Sequence, residues 1–243
     1  MAQKTHPKGF RLIAKQKHLS TWYSNKFEYS KFLKKDYFIR EIITSQFKGL
    51  LNIAEIEIHR VPKNEKEDSV VVTLHALYPR AKEMYRKLAA LAADEKLREI
   101  HSLAISKTNL RQLTVFFLQR LTRTWIRHYQ LHYQEKCLFK IKFIRNPFSN
   151  AILAAKYVTT LLEKRTSPLR AMKIAIQKAQ LAGVAGVKVQ IAGRINGEDM
   201  ARTEWKREGK IPLHTLRAKI DYTHQIAQTV DGVLGVRIWL FRT

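Results

Sequence analysis

The chain has 243 residues and is poor in cysteine, in acidic side chains and, over a long stretch, in glycine. Cys137 is its single cysteine, so no intramolecular disulfide can form and a reducing compartment fits. That cysteine also completes no zinc set. His128 and His132 stand one helical turn apart, but no second cysteine or flanking carboxylate joins them. No glycine lies anywhere from Leu50 to Ala182, so a backbone loop that closes tightly on phosphate is excluded there. No apolar run reaches the roughly 20 residues needed to span a bilayer. The opening MAQKTHPKGFRL lacks the apolar centre of a secretory signal and is expected to belong to the mature protein. No phosphate loop, nucleophile elbow or dinucleotide fingerprint is found, so no catalytic residue, metal or cofactor is expected.

What is present is positive charge. Forty-five Lys and Arg face 20 Asp and Glu, a formal net charge of +25. Self-repulsion of that size is costly for a free protein and makes sense when a polyanion neutralises it. The excess is uneven. Residues 1–50 carry 11 basic and 3 acidic side chains, residues 51–100 carry 9 of each, and residues 101–150 carry 9 and 1. Residues 151–243 carry 16 and 7. A single basic tail is therefore excluded, and nucleic acid is the leading partner, ahead of an anionic membrane.

Along the chain, residues 1–36 read as an irregular basic arm with interleaved aromatics, Trp22, Tyr23, Phe27 and Tyr29. A helix is predicted from about Tyr37 to Phe47, burying Phe38, Ile42 and Ile43, with Gly49 at its end. NIAEIEIHRV and VVVTLHAL alternate as two strands of a hairpin. Residues 80–100 and 109–133 read as helices, the second with a stripe of Arg120, Arg123 and Arg127 opposite Leu121, Trp125 and Tyr129. CLFKIKFI is a further strand, and Asn146–Pro147 ends the first domain.

The second half predicts two helices on a four-stranded sheet, antiparallel or mixed. The first helix, from about Ser149 to Lys164, is expected to bury Leu153, Tyr157 and Leu161. Ser167 and Pro168 start the second, with Leu169, Met172, Ile176 and Ala179 inward, Arg170, Lys173 and Gln177 outward, and Gly183 at its end. VKVQIAGR, a turn at Asn196–Gly197, MARTEW, AKIDYTHQIAQT and GVRIWLFR supply the sheet. Glu198, Asp199, Glu204 and Glu208 sit among Arg202, Lys206 and Arg207, which keep carboxylates ionised rather than poised for acid–base work. The cations of the arm, of 109–133 and of 164–210 can position against phosphates, with aromatic rings available to stack on unpaired bases.

The opening MAQKTHPKGFRL, and above all SPLRAMKIAIQKAQ, GVKVQIAGRINGEDMARTEWKREGKIPLHTLRAKIDY and GVLGVRIWLF, resemble the family of the universal third protein of the small ribosomal subunit. The resemblance implies an α+β chain: an arm (1–36), a K-homology domain of type II (37–145) with a helical expansion at 107–133, and a C-terminal two-layer α/β domain with a four-stranded sheet (146–243). It implies a structural role in the head of the subunit. Partners would be small-subunit rRNA, mRNA at the entrance channel and neighbouring ribosomal proteins, with no membrane. The contacts expected for rRNA are Lys4, Lys8 and Arg11 in the arm, Arg194, and Arg202, Lys206, Arg207 and Lys210 on a hairpin anchored to the core by Trp205. In bacterial members a basic pair and a following lysine are tied to mRNA unwinding. The matching run is Leu169, Arg170 and Lys173, one charge short. The Gly-x-x-Gly loop of K-homology domains is replaced by ALYPRAKEMYRKL, so that domain is expected to act as a scaffold. The wording is closest to plastid members, which implies a chloroplast ribosome; bacterial cytoplasm or mitochondrion is the alternative. A free RNA-binding chaperone or helicase partner is the alternative function, and an enzyme acting on nucleic acid is the third reading.

Overall fold

The computed structural model describes residues 4–12, 14, 16–47, 51–63, 67–77, 119 and 136–242. The helices expected over 80–100 and 109–133, Gly49, the arginine stripe, His128 and His132 lie outside these residues. The helices described are α1 (Pro7–Arg11), α2 (Tyr29–Phe47), α3 (Ala151–Glu163) and α4 (Pro168–Leu181). The strands are β1 (Ser20–Thr21), β2 (Ile53–Lys63), β3 (Glu67–Leu77), β4 (Lys136–Ile144), β5 (Gly186–Gly193), β6 (Arg202–Gly209), β7 (Lys219–Thr229) and β8 (Gly232–Arg242). They form two compact units, Leu19–Arg145 and Met1–His18 with Asn146–Thr243.

In the Leu19–Arg145 unit the sheet order is β1-β2-β3-β4. β2 and β3 are antiparallel, whereas β1 and β4 join as parallel edge strands. The alternation in β2 slips once, at a register shift between Ile53 and Glu55, and then puts Ile56 and Ile58 inward. Ile39, Ile43 and Phe47 of α2 close over these and over Val70, Val72 and Leu74. The buried stripe is thus one residue away from the expected Phe38 and Ile42, which are half-buried. The helix also begins at Tyr29 rather than Tyr37. Nothing between those positions breaks it, and a buried side-chain network holds its first turns. The indole N–H of Trp22 donates to Asp36 Oδ2 at 2.7 Å, Arg60 donates to Asp36 Oδ1 at 2.7 Å, and the Arg60 guanidinium lies 4.9 Å from the Phe32 ring centroid. A carboxylate this enclosed requires such partners.

In the other unit the four strands are all antiparallel, in the order β6-β5-β8-β7. α3 and α4 cover one face through Ala155, Val158, Leu162, Met172, Ala175 and Ile176, against Val189, Ile191, Val236 and Ile238. Small residues on both helices bring them close to the sheet. Of the expected α3 stripe, Leu153 is buried while Tyr157 and Leu161 are half-buried. Leu169 is a correction: it is 51% exposed, because Ala171 and Met172 take the inward direction. Gly183 ends α4 as expected, with φ of +78°, and the N–H of Val184 reaches back to Ala179 O at 3.2 Å. Asn196 and Gly197 both have positive φ in a turn wider than a two-residue hairpin, since the strands stop at Gly193 and restart at Arg202. A second, smaller apolar cluster, Ala218, Ile220 and Trp239 with Leu213 and Phe241, lies on the other sheet face.

Candidate nucleic-acid interface

The arm is the first surprise. It is not an irregular tail: residues 7–11 form a short helix on β7, and four contacts lock it down. His6 caps α1 through Nδ1 and stands edge-on to Tyr222, centroids 4.8 Å apart. Lys8 pairs with Asp221 at 2.8 Å. Gln16 donates to Ile220 O at 2.7 Å. Arg11 is 1% exposed and donates to the carbonyls of Pro7, Pro212, Leu213 and Thr215 at 2.8–3.2 Å. Arg11 thus turns its N–H donors to protein carbonyls rather than to solvent, and burial lowers its pKa. Asp221 is the node of this arrangement. It accepts from Lys8, from Arg242 at 3.3 Å and from the N–H of Ala151 at 2.7 Å, where a negative charge also suits the start of α3.

Lys4 remains exposed at the start of the arm. Arg194 turns back on its own loop, with Nε donating to Glu198 O at 3.0 Å and the guanidinium 3.4 Å from Asp199 Oδ1. It braces the turn while staying half exposed.

The β6 cations do not share one surface. The register sets Arg202, Glu204, Lys206 and Glu208 opposite Gly193, Ile191, Val189 and Val187, on the side covered by the helices. Thr203, Trp205 and Arg207 point the other way. Arg202 pairs with Glu198, and Gln180 of α4 donates to Glu208. Lys206 is half-buried, and Arg207 and Lys210 are exposed. Trp205 is a further correction: it is 58% exposed and lies outside the main core. Its ring instead meets the Lys188 ammonium, 5.1 Å from the centroid, with Trp239 at 5.0 Å from the same ammonium. Lys188 was not singled out by the sequence, although a lysine alternating with Val187 and Val189 signals an outward position.

On α4, Arg170 and Lys173 are both exposed and share a face with Leu169. In the other unit, Tyr29, Leu33 and Tyr37 form an exposed stripe at four-residue spacing on α2.

Residues 158–240 match the family described as Ribosomal protein S3, C-terminal domain. Over the full chain, the sequence is 39% identical to small ribosomal subunit protein uS3c of Pyropia yezoensis, covering 90% of that protein. It is 36% identical to uS3c of Zygnema circumcarinatum, covering 95% of it, and 36% identical to uS3 of the strain Thermosynechococcus vestitus, covering 87%. In each comparison all of this chain is aligned. The chain belongs to the plastid- and bacterial-type uS3 family, and it is a structural, non-enzymatic protein of the small ribosomal subunit, of the chloroplast ribosome.

Proposed function

We propose that the chain binds rRNA in the head of the small subunit and helps to line the channel by which mRNA enters. The observation that carries the mRNA part is the exposed row Leu169, Arg170 and Lys173 on α4. Two cations one turn apart can follow a phosphate backbone, while Leu169 withholds a third charge. For rRNA, Lys4, Arg202, Lys206, Arg207 and Lys210 are the contacts this reading retains. Lys8, Arg11 and Arg194 serve chiefly to fix the arm and the turn that carry them. The Leu19–Arg145 unit is read as a K-homology-type scaffold, supported by the order α2, β2, β3 and then β4 parallel to β3. A near-neutral middle segment without glycine agrees with a scaffold rather than an RNA clamp. No membrane enters this reading.

The test of the mRNA role is Arg170→Glu with Lys173→Glu in reconstituted subunits. Translation of an mRNA with a stable hairpin should slow more than that of an unstructured one. Equal slowing of both messages contradicts an mRNA-facing role for α4.

A further inference from the structure

The sheet of β5–β8 segregates its charges. Its three carboxylates, Glu204, Glu208 and Asp221, are opposite Ile191, Val187 and Leu240, all on the helix-covered side. The outer face carries Lys188, Arg207 and Arg237 and no carboxylate. Lys188 and Arg207 are directly opposed across β5 and β6, a like-charge pair that costs stability in a free protein. Burial, Lys4 and Arg207 together lower the Lys188 pKa, so Lys4 adds to the same positive field.

Trp205 stands beside these cations with more than half of its surface in solvent. The Lys188 ammonium holds the indole in place, with the buried Trp239 on its other side. A core role does not account for a ring this open. A merely solvated basic face does not either, because solvated Lys and Arg need no large aromatic among them. The ring is flat and open rather than pocketed, which suits a planar partner, and the cations beside it call for negative charge.

We infer that Trp205 is a stacking platform for one unpaired RNA base, whose flanking phosphates rest on Lys188, Arg207 and Lys4. This rests on the rRNA-binding reading above and deepens it to a single nucleotide contact. RNA is favoured over a protein partner because every base has a face that stacks on indole, and its phosphates satisfy all three cations together.

The test uses the full-length chain and a single-stranded octaribonucleotide with one 2-aminopurine, beside the same oligonucleotide abasic at that position. Binding should quench the 2-aminopurine, and the abasic form should bind more weakly. Trp205→Ala should lower affinity for the base-bearing form about 5- to 150-fold, to the level of the abasic one. Trp205→Phe should restore most of the loss, with melting temperatures unchanged. If Trp205→Ala binds both forms as the unsubstituted chain does, the stacking inference is overturned while the rRNA reading stands. If the unsubstituted chain binds neither form at low salt, both fall. A loss that Phe does not rescue, with a lowered melting temperature, assigns Trp205 a structural role and also overturns the inference. So does intact RNA binding with release of a neighbouring protein from reconstituted subunits, which makes the face a protein contact.

Discussion

Arg11→Ala separates a residue that holds the fold from one that touches RNA. The side chain is 1% exposed and its guanidinium donates to four carbonyls, three of them in the 212–215 loop. Truncation leaves those carbonyls without their donor in a closed site. A hydrogen bond from a charged group contributes about 1.5–3 kcal/mol. The three loop carbonyls share one nitrogen, so the set counts for roughly two such bonds, and the cost is about 3–5 kcal/mol, the range for breaking a buried charged group. For a unit of this size that corresponds to a fall in Tm of roughly 10–20 °C. Near-UV circular dichroism during urea and thermal unfolding reads it directly. RNA affinity, measured well below the melting range, should be nearly unchanged. A Tm within about 2 °C of the unsubstituted chain, together with weakened RNA binding, would refute the carbonyl cage and return Arg11 to the RNA contacts.

Other substitutions probe the remaining joints. Asp36→Ala should cost about 3–5 kcal/mol, and combining it with Arg60→Met should cost less than the sum, because the two are ion-paired at 2.7 Å; additive effects in a urea double-mutant cycle would contradict the pairing. Gly183 and Gly209 have nearly the same φ, +78° and +75°, but a Cβ at Gly183 meets nothing within 4 Å whereas one at Gly209 falls 2.2 Å from Ala185 O. Gly183→Ala should therefore cost about 1 kcal/mol and Gly209→Ala more than about 3 kcal/mol, and equal losses in thermal melts would refute the clash. The pH dependence has a definite sign. Burial lowers the pKa of Lys156, and burial with Lys4 and Arg207 lowers that of Lys188, so the unfolded chain holds both protons more tightly. Stability should rise with pH from the lowered values up to the ordinary 10.5, and Lys188→Met should flatten part of that slope in urea titrations; an unchanged slope would argue against the crowding.

The C-terminal unit was largely legible because its signals are local. Pro168 at a helix start, Gly183 with positive φ and the alternation of VKVQIAG each dictate one conformation within a few residues. Arg11 was not legible, because three of its four acceptors lie more than 200 positions away in sequence and nothing nearby marks it for burial. Trp205 was misplaced for a different reason. Size and apolarity argued for the core, yet the alternation of β6 already separates Trp205 and Arg207 from Arg202 and Lys206. An edge strand that is polar on both faces does not say which face the helices cover. Leu169 likewise obeys its neighbours: with Ala171, Met172, Ala175 and Ile176 filling the inner face, no inward direction is left for it. The start of α2 was hidden because Trp22, Asp36 and Arg60, which secure it, come from three separate segments.

On the proposed rRNA-binding reading, phosphate contacts hold this chain in the small subunit. That reading is tested most directly by sucrose-gradient sedimentation of a native organelle extract in low-salt buffer containing Mg²⁺, blotted for the chain and repeated at high salt. With roughly six to ten phosphates neutralised, affinity should fall by about 10³ to 10⁵ over a fourfold rise in salt. Co-migration with the small subunit at low salt in near-stoichiometric amount, and partial release at high salt, are the expected results. A chain found only at the top of the low-salt gradient would contradict that reading, and would favour a free RNA-binding chaperone instead.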